Sequence, residues 1–107
     1  MSKSIIYIDE QSDSPLRIDI CSGEDWDGFD EIIEYLINNL EVEVLKSFDG
    51  PDARRWILKL KEITFELIHD DVSGNYLLAP TKESETVIKN IANIIDNKFK
   101  DDPSFLR

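Results

Sequence analysis

Cysteine and histidine are almost absent from this sequence of 107 residues, which contains only Cys21 and His69 of these two types. A single cysteine excludes an internal disulfide and suits a reducing compartment. A zinc ion takes three or four histidine, cysteine or carboxylate ligands. At least one carboxylate would therefore have to complete any zinc site in this chain.

Basic residues are also scarce: 12 lysines and arginines face 23 acids, which gives a net charge of −11. Residues 1–50 carry 13 acids and 3 bases, whereas residues 51–107 carry 10 acids and 9 bases. Phosphate binding needs cationic side chains, so this balance argues against a nucleic-acid partner. The charge serves solubility or attracts a basic partner, and its concentration in the first half favours a partner.

Long apolar runs are missing as well. The N-terminal sequence MSKSIIYIDE has four apolar residues in a row, which is too short for the core of a signal peptide. No apolar stretch approaches the length of a membrane span. We therefore expect a cytoplasmic protein without a membrane segment, in which residues 1–107 form a single domain.

Apolar periodicity predicts the secondary structure. Alternating residues predict strands near 4–8, 16–20, 42–44, 54–60, 63–67 and 76–79, and helical spacing predicts helices after Ser22 and after Thr81. The order is β-β-α-β-β-β-β-α with short connections. It predicts an α+β fold, with an antiparallel sheet of about five to six strands and two helices packed on one face. Residues 101–107 are expected to fray.

The sequence FELIHDDVSGNYLLAP, residues 65–80, places the single histidine beside two carboxylates. His69, Asp70 and Asp71 could form part of a metal site or the corner of a β-hairpin. Asp70, Asp71, Ser73 and the Gly-Asn pair that follows are residue types that favour tight turns. We predict a hairpin over residues 69–75, with no metal and no cofactor.

No other motif identifies a reaction. The acids from Asp25 to Asp30 do not match a calcium loop, because Phe29 and Asp30 occupy its fifth and sixth positions. Cys21 and His69 could act as nucleophile and base, but a lone cysteine after a strand is usually a small buried apolar residue. We expect a protein that is not an enzyme, although the many acids leave a hydrolase with two carboxylates open.

The first predicted helix carries acids without interspersed bases. Asp27, Asp30, Glu31 and Glu34 lie together on one face, where like charges weaken an isolated helix by a few tenths of a kcal/mol per pair, roughly. This face is either solvated surface or a binding patch. Trp26 and Trp56 each lie in an apolar periodicity and are expected in the core.

Four segments within residues 55–99 carry a resemblance to a known family: Trp56-Ile57-Leu58, Ile63-Thr64-Phe65-Glu66-Leu67, DDVSGNYL from Asp70 to Leu77, and the helical pattern Val87-Ile88-x-x-Ile91-Ala92. They resemble small acidic bacterial immunity proteins of contact-dependent growth inhibition systems. The resemblance implies a cytoplasmic protein that binds one toxin domain, often a basic nuclease, and occludes its active site. This family shares no functional motif, so the resemblance assigns no binding residue.

Charge placement supplies a candidate partner-binding surface instead. It consists of Asp25, Asp27, Asp30, Glu31 and Glu34, with Glu41 and Glu43 as an optional extension. The hairpin at 69–75 is an alternative surface, since exposed turns often carry recognition. Two other classes remain: a structural or adaptor subunit that forms a homo-oligomer through a strand edge, and a small enzyme. The sequence leaves the oligomeric state open.

Overall fold

The structure, a computed structural model, describes residues 4–9 and 15–106. It confirms the predicted α+β fold, with six strands and two helices in the predicted order. The elements are β1 Ile6–Asp9, β2 Leu16–Ile20, α1 Trp26–Leu40, β3 Glu43–Asp49, β4 Ala53–Leu60, β5 Ile63–Asp70, β6 Gly74–Ala79 and α2 Lys82–Asp101.

The strands form one sheet in the order β1-β2-β6-β5-β4-β3, and every neighbouring pair is antiparallel. The pair β4–β5 runs in continuous register from Ala53 opposite Asp70 to Leu60 opposite Ile63. The predicted tight connection closes this hairpin, with Lys61 in the left-handed region at φ 58°. Because the strands alternate in direction, the β3–β4 and β5–β6 turns lie at the same end of the sheet.

Both helices pack on one face of the sheet. α2 lies against β6, β5, β2 and β1, and α1 lies against β5. Alternate strand side chains therefore point into a core that the helices close, and they join the apolar stripes of both helices. Neither helix is long and apolar enough to cross a membrane. The largest fully buried side chains are Phe29, Phe65, Ile18, Ile20, Ile32, Leu36, Leu58, Leu67, Leu77, Ile88, Ile91 and Ile95.

α1 begins later than predicted: the helix expected after Ser22 starts at Trp26. Asp25 is the N-cap, and its carboxylate accepts a hydrogen bond from the backbone N–H of Gly28 at 2.7 Å. An aspartate at this position satisfies a free N–H group and suits the positive end of the helix. The hydroxyl of Ser22 instead donates to the carbonyl oxygen of Leu106 at 2.5 Å.

The C-terminal residues are held on α1, which corrects the prediction that residues 101–107 fray. Leu106 is fully buried, and its backbone N–H donates to the Glu31 carboxylate at 3.2 Å. The ring of Phe105 lies 5.2 Å from that of Tyr35, measured between centroids. The described part of this segment, residues 101–106, therefore belongs to the folded unit, and residue 107 lies outside the described residues.

The two tryptophans are less buried than expected. Trp56 is half-buried and packs against the core from its edge, while Trp26, the first residue of α1, keeps 36% of its surface exposed. Trp26 projects from the end of the helix, beyond the apolar stripe that α1 buries. The prediction of core positions is thus correct only in part for Trp56 and wrong for Trp26.

Gly28 allows α1 to begin close against the preceding loop. A Cβ at this position would lie 1.7 Å from the carbonyl oxygen of Gly23. We expect Gly28→Ala to lower the free energy of unfolding by about 3 kcal/mol, because the loop and helix must separate. Gly50→Ala is the control, since its Cβ would lie 3.5 Å from the nearest atom. Urea unfolding measures both variants, and equal stabilities would contradict this packing.

Asp96 on α2 anchors the start of β1. It accepts from the Ile5 backbone N–H at 2.9 Å and from the Ser4 hydroxyl at 3.1 Å, and it pairs with Lys100 at 3.3 Å. Burial raises the pKa of this carboxyl, but these hydrogen bonds outweigh burial and hold the pKa below the ordinary value of 3.8. The charged carboxylate of Asp96 therefore stabilises the folded state at pH values above the ordinary pKa of an aspartate. This stabilisation is lost as the pH falls through the lower pKa that Asp96 has in the folded state.

We expect the stability difference between wild type and Asp96→Asn to narrow as the pH falls below about 4, the ordinary range of an aspartate. Chemical unfolding at a series of pH values measures this difference. Asp101→Asn, at an exposed position of the same helix, is the control that removes one negative charge without touching β1. A difference between wild type and Asp96→Asn that stays constant through the acid range would show that the Asp96 charge does not anchor β1.

Candidate functional site

Three segments that are distant in sequence meet at one end of the sheet. The backbone N–H of Asp71 donates to the Asp52 carbonyl at 3.2 Å, which joins the β5–β6 turn to the β3–β4 turn. The side-chain amide of Asn75 donates to the carbonyls of Gly23 at 2.9 Å and Asp25 at 3.1 Å, which joins the start of α1. We call this surface, residues 24–30, 49–53 and 70–74, the acidic pole.

The acidic pole contains eight acids and no lysine or arginine. They are Glu24, Asp25, Asp27, Asp30, Asp49, Asp52, Asp70 and Asp71. All but Asp70 are exposed residues. Asp70 instead accepts from the backbone N–H groups of Val72 and Ser73, and so shapes the turn. Such a concentration of one sign produces a negative potential that extends into solvent.

A row of buried polar side chains lies beneath the acidic pole. Arg54, His69 and Asn75 are cross-strand neighbours on β4, β5 and β6, and all three are buried on the helix-covered face. The same strands carry apolar core residues further along, such as Leu58 and Leu67. The core therefore changes from apolar to polar where it meets the pole, and each polar group there needs a partner.

Arg54 finds its partners in the pole itself. Its Nη1 donates to Asp30 of α1 at 2.7 Å, and its Nε donates to Asp49 of β3 at 2.9 Å. Three aromatic rings surround the guanidinium, with centroids at 4.3 Å for Phe29, 4.5 Å for Trp26 and 5.0 Å for Trp56. Two carboxylates and three rings thus stabilise a charge that would be costly to bury alone.

Asp49 receives two donors. The indole Nε1–H of Trp56 donates to it at 2.8 Å, and Arg54 donates to the same oxygen. The Trp56 hydrogen bond, followed by that of Arg54, lowers the pKa of Asp49 below its usual value. Because hydrogen bonds to a carboxylate favour its charged form, Asp49 stays ionised while remaining half exposed to solvent.

His69 links the hairpin to the start of α1. The Asn75 amide nitrogen faces two backbone carbonyls, so its Oδ1 faces His69 and accepts from Nδ1 at 2.8 Å. The other ring nitrogen, Nε2, lies 3.0 Å from the Asp71 carboxylate, and Trp26 packs edge-on at 5.7 Å. These contacts bind His69 into the structure of the pole.

The predicted hairpin is confirmed at residues 69–75, with a small shift of its turn. His69 and Asp70 end β5, residues 71–73 form the turn, and Gly74 and Asn75 begin β6 rather than turning the chain. Among residues 4–9 and 15–106, no group of three or more histidine, cysteine or acidic side chains could hold a metal ion.

Cys21 is exposed, which corrects the prediction that it is buried. Partial burial of its sulfur, together with the charges of Glu24 and Asp19, raises the pKa of this thiol above its usual value. A nucleophilic cysteine needs the opposite shift. No hydrogen bond joins Cys21 to His69 within the described part of the chain.

The five predicted binding residues have different roles in the structure. Asp25 caps α1, Asp30 pairs with Arg54, and Glu31 holds the C-terminal segment. Asp27 and Glu34 are exposed and make no hydrogen bond or ion pair with other described residues. Only part of the predicted helix face is therefore free to contact a partner without giving up an internal bond.

The optional extension lies at the other end of α1. Glu41 is the C-cap, in the left-handed region at φ 58°, and Glu43 lies opposite Lys59 on the edge strand β3. In contrast, the start of α1 and the hairpin at 69–75, which were alternative surfaces, lie side by side in the acidic pole. The structure merges these two alternatives into one surface.

Sequence reasoning missed Arg54 and the acids of the β3–β4 turn. The turn Asp49-Gly50-Pro51-Asp52 was recognisable, and the strand order places it at the same end as the β5–β6 turn. That signal could have indicated the convergence of Asp49, Asp52 and Asp71. The alternation of β4 places Arg54 on the same face as Trp56 and Leu58, which was a signal of burial. The residue type argued against it, because an arginine in a strand usually faces solvent.

Comparison with known proteins gives one family match. The model of the family described as "Protein of unknown function (DUF3630)" matches residues 6–95, most of the chain. No curated protein and no solved structure matches the chain. The matched range includes the whole acidic pole and the buried polar row beneath it.

Asn75 joins the β5–β6 hairpin to the loop before α1. Asn75→Ala would remove the donor to the Gly23 carbonyl and the acceptor of the His69 Nδ1–H. It would also remove one of two donors to the Asp25 carbonyl, which keeps the Phe29 N–H at 3.2 Å. We expect a loss of about 2 kcal/mol in the free energy of unfolding, since one buried and two partly buried hydrogen bonds are lost. Asn38→Ala on exposed α1 surface is the control. If both variants lose less than about 1 kcal/mol in denaturant unfolding, this link is unimportant.

Proposed function

This chain belongs to the DUF3630 family, and we propose that it is a binding protein, not an enzyme, that engages a cationic protein partner through the acidic pole. The observation that carries this proposal is the convergence of eight acids and no lysine or arginine from three separate segments. A purely local run of acids could arise from composition alone, whereas this cluster exists only because the chain is folded.

The charges of the pole are available to a partner. Asp27 and Asp52 are exposed, and their carboxylates make no hydrogen bond or ion pair within the described residues. The nearest arginine, Arg54, keeps only 6% of its surface exposed and is already bonded to Asp30 and Asp49. The pole therefore presents net negative charge, which speeds the approach of a basic protein.

Two apolar side chains lie among these acids. Val72, at the tip of the β5–β6 turn, keeps 94% of its surface exposed, and Trp26 lies at the start of α1. Binding surfaces commonly combine a few buried aromatic or aliphatic anchors with a charged surround. Trp26 and Val72 are the anchors that a partner would cover.

A toxin domain with a basic cleft is the partner that the resemblance to immunity proteins suggests. The carboxylates of the pole would occupy the positions of substrate phosphates and occlude the active site of such a nuclease. This proposal includes a cytoplasmic location, where the protein would meet an incoming toxin.

A homo-oligomer or adaptor is the second candidate, favoured by the edge strand β3. All seven of its residues are exposed, including Val44, Leu45 and Phe48. A bulge between Val44 and Lys46 and the charge of Lys46 work against pairing with another edge. A solution mass that rises with protein concentration would favour this candidate over a toxin inhibitor.

The proposal is tested by neutralising two acids of the pole together and measuring the binding of an oligolysine peptide, which serves as the cationic probe. Asp27→Asn/Asp52→Asn should weaken peptide binding about fivefold at low salt, as the loss of two exposed ion pairs of about 0.5 kcal/mol each would do. The dependence of affinity on salt should also become shallower. Isothermal titration calorimetry at several salt concentrations measures both effects.

The matched control is Glu62→Gln/Glu83→Gln. Asp27 and Glu83 are each the second residue of a helix, and Asp52 and Glu62 each lie in a hairpin turn, but the control pair lies at the other end of the sheet. Both double variants change the net charge equally. Equal losses of affinity would mean that the peptide responds to net charge alone, and the acidic pole would then not be the binding surface.

A further inference from the structure

We infer that Arg54 is the positioning residue of the acidic pole: it fixes Asp30 of α1 and Asp49 of β3 on either side of one guanidinium and orients the ring of Trp26. The geometry of Arg54 stands on its own. Its role in partner binding rests on the proposed function, because it would act through side chains that a partner contacts.

An arginine is required by the placement of the two carboxylates. Nη1 and Nε are different donors of one rigid, planar group, and they reach acids that are 24 and 5 residues away in sequence, at 2.7 Å and 2.9 Å. A lysine has one ammonium on a flexible stem and cannot reproduce this fork. The spacing between Asp30 and Asp49 is therefore set by the guanidinium.

The surroundings of Arg54 keep the guanidinium in one place. It is buried, and the rings of Phe29, Trp26 and Trp56 surround it. Trp56 also donates to Asp49, so ring and guanidinium hold the same carboxylate. Without Arg54, only the Trp56 hydrogen bond would hold Asp49, and Asp30 would lose its partner and turn towards solvent.

A fixed surface favours binding because fewer side chains must be ordered when the partner arrives. Asp30 and Asp49 are each about half exposed, so a partner can reach them while Arg54 holds them. Arg54 thus has two effects. It fills the buried polar end of the core, and it sets the positions of the half-exposed acids Asp30 and Asp49.

Arg55 provides a matched control. It is the next residue on β4, carries the same charge, and projects from the opposite face of the sheet, where it is 56% exposed and pairs with Glu66 at 2.6 Å. Arg54→Gln and Arg55→Gln therefore remove one positive charge each. Only Arg54→Gln removes the guanidinium that bonds to both Asp30 and Asp49 beneath the pole.

The first measurement is spectroscopic and needs no partner. In Arg54→Gln, the NMR signal of the Trp56 indole N–H should shift, and the pKa of Asp49 should rise part of the way towards its usual value, because the Trp56 hydrogen bond remains. Arg54→Lys should show the same direction of change, and Arg55→Gln should match wild type. If Arg54→Gln fails to fold, Arg54→Lys takes its place in this measurement.

The second measurement is the pH profile of oligolysine binding. The pH at which binding is half lost should move up in Arg54→Gln and Arg54→Lys but not in Arg55→Gln, because Asp49 then takes up its proton at higher pH. A simple loss of stability would not move this midpoint while the protein stays folded, which circular dichroism at each pH checks.

Two results would overturn the positioning role. The first is that Arg54→Gln and Arg55→Gln show the same NMR signal for the Trp56 indole N–H and the same titration of Asp49. The other is full restoration of both by Arg54→Lys, which would show that charge alone suffices. If wild type does not bind oligolysine at all, the proposed function fails, whereas the spectra still decide whether Arg54 fixes Asp30 and Asp49.

Discussion

The two hydrogen bonds from the Arg54 guanidinium to Asp30 and Asp49 are the interaction on which this end of the molecule depends. It joins α1 to the edge strand β3 beneath a surface made of acids. Next to it, Asn75 joins the β5–β6 hairpin to the loop before α1. The pole exists as one surface because these two residues connect its three segments.

The rest of the fold explains why such a surface is tolerated. An apolar core closed by two amphipathic helices supplies the main driving force for folding, so the sheet end can carry polar groups. Several acids there have structural partners: the N-terminal N–H groups of α1, the turn amides and Arg54. These contacts offset the mutual repulsion of the carboxylates and leave their outer surfaces free, which is the property that the proposed partner would use.

The sequence allowed the fold to be predicted better than the site. Alternation in residues such as Ile18, Leu58 and Leu67 reports burial directly, and short turns impose antiparallel neighbours. The C-terminal segment was misplaced because Leu106 is held by Ser22 and Glu31, which are far away in sequence. The helix start was misplaced because serine and aspartate both suit a cap, and Asp25 is the residue whose carboxylate accepts from the first turn. The alternation of β4 places Arg54 on the face of Trp56 and Leu58, but the partners that make its burial favourable, Asp30 and three rings, come together only in the folded chain. The acids were recognised, but their convergence was not.

The most direct test of this account is to map where a cationic probe binds. Nitrogen–proton correlation spectra of the labelled protein, recorded during titration with oligolysine, report each backbone amide. If the acidic pole is the binding surface, salt-sensitive shifts will be confined to residues 24–30, 49–54 and 69–75, together with the indole N–H of Trp26. Shifts centred on α2 or on the open face of the sheet, or shifts spread evenly over all exposed acids, would contradict it.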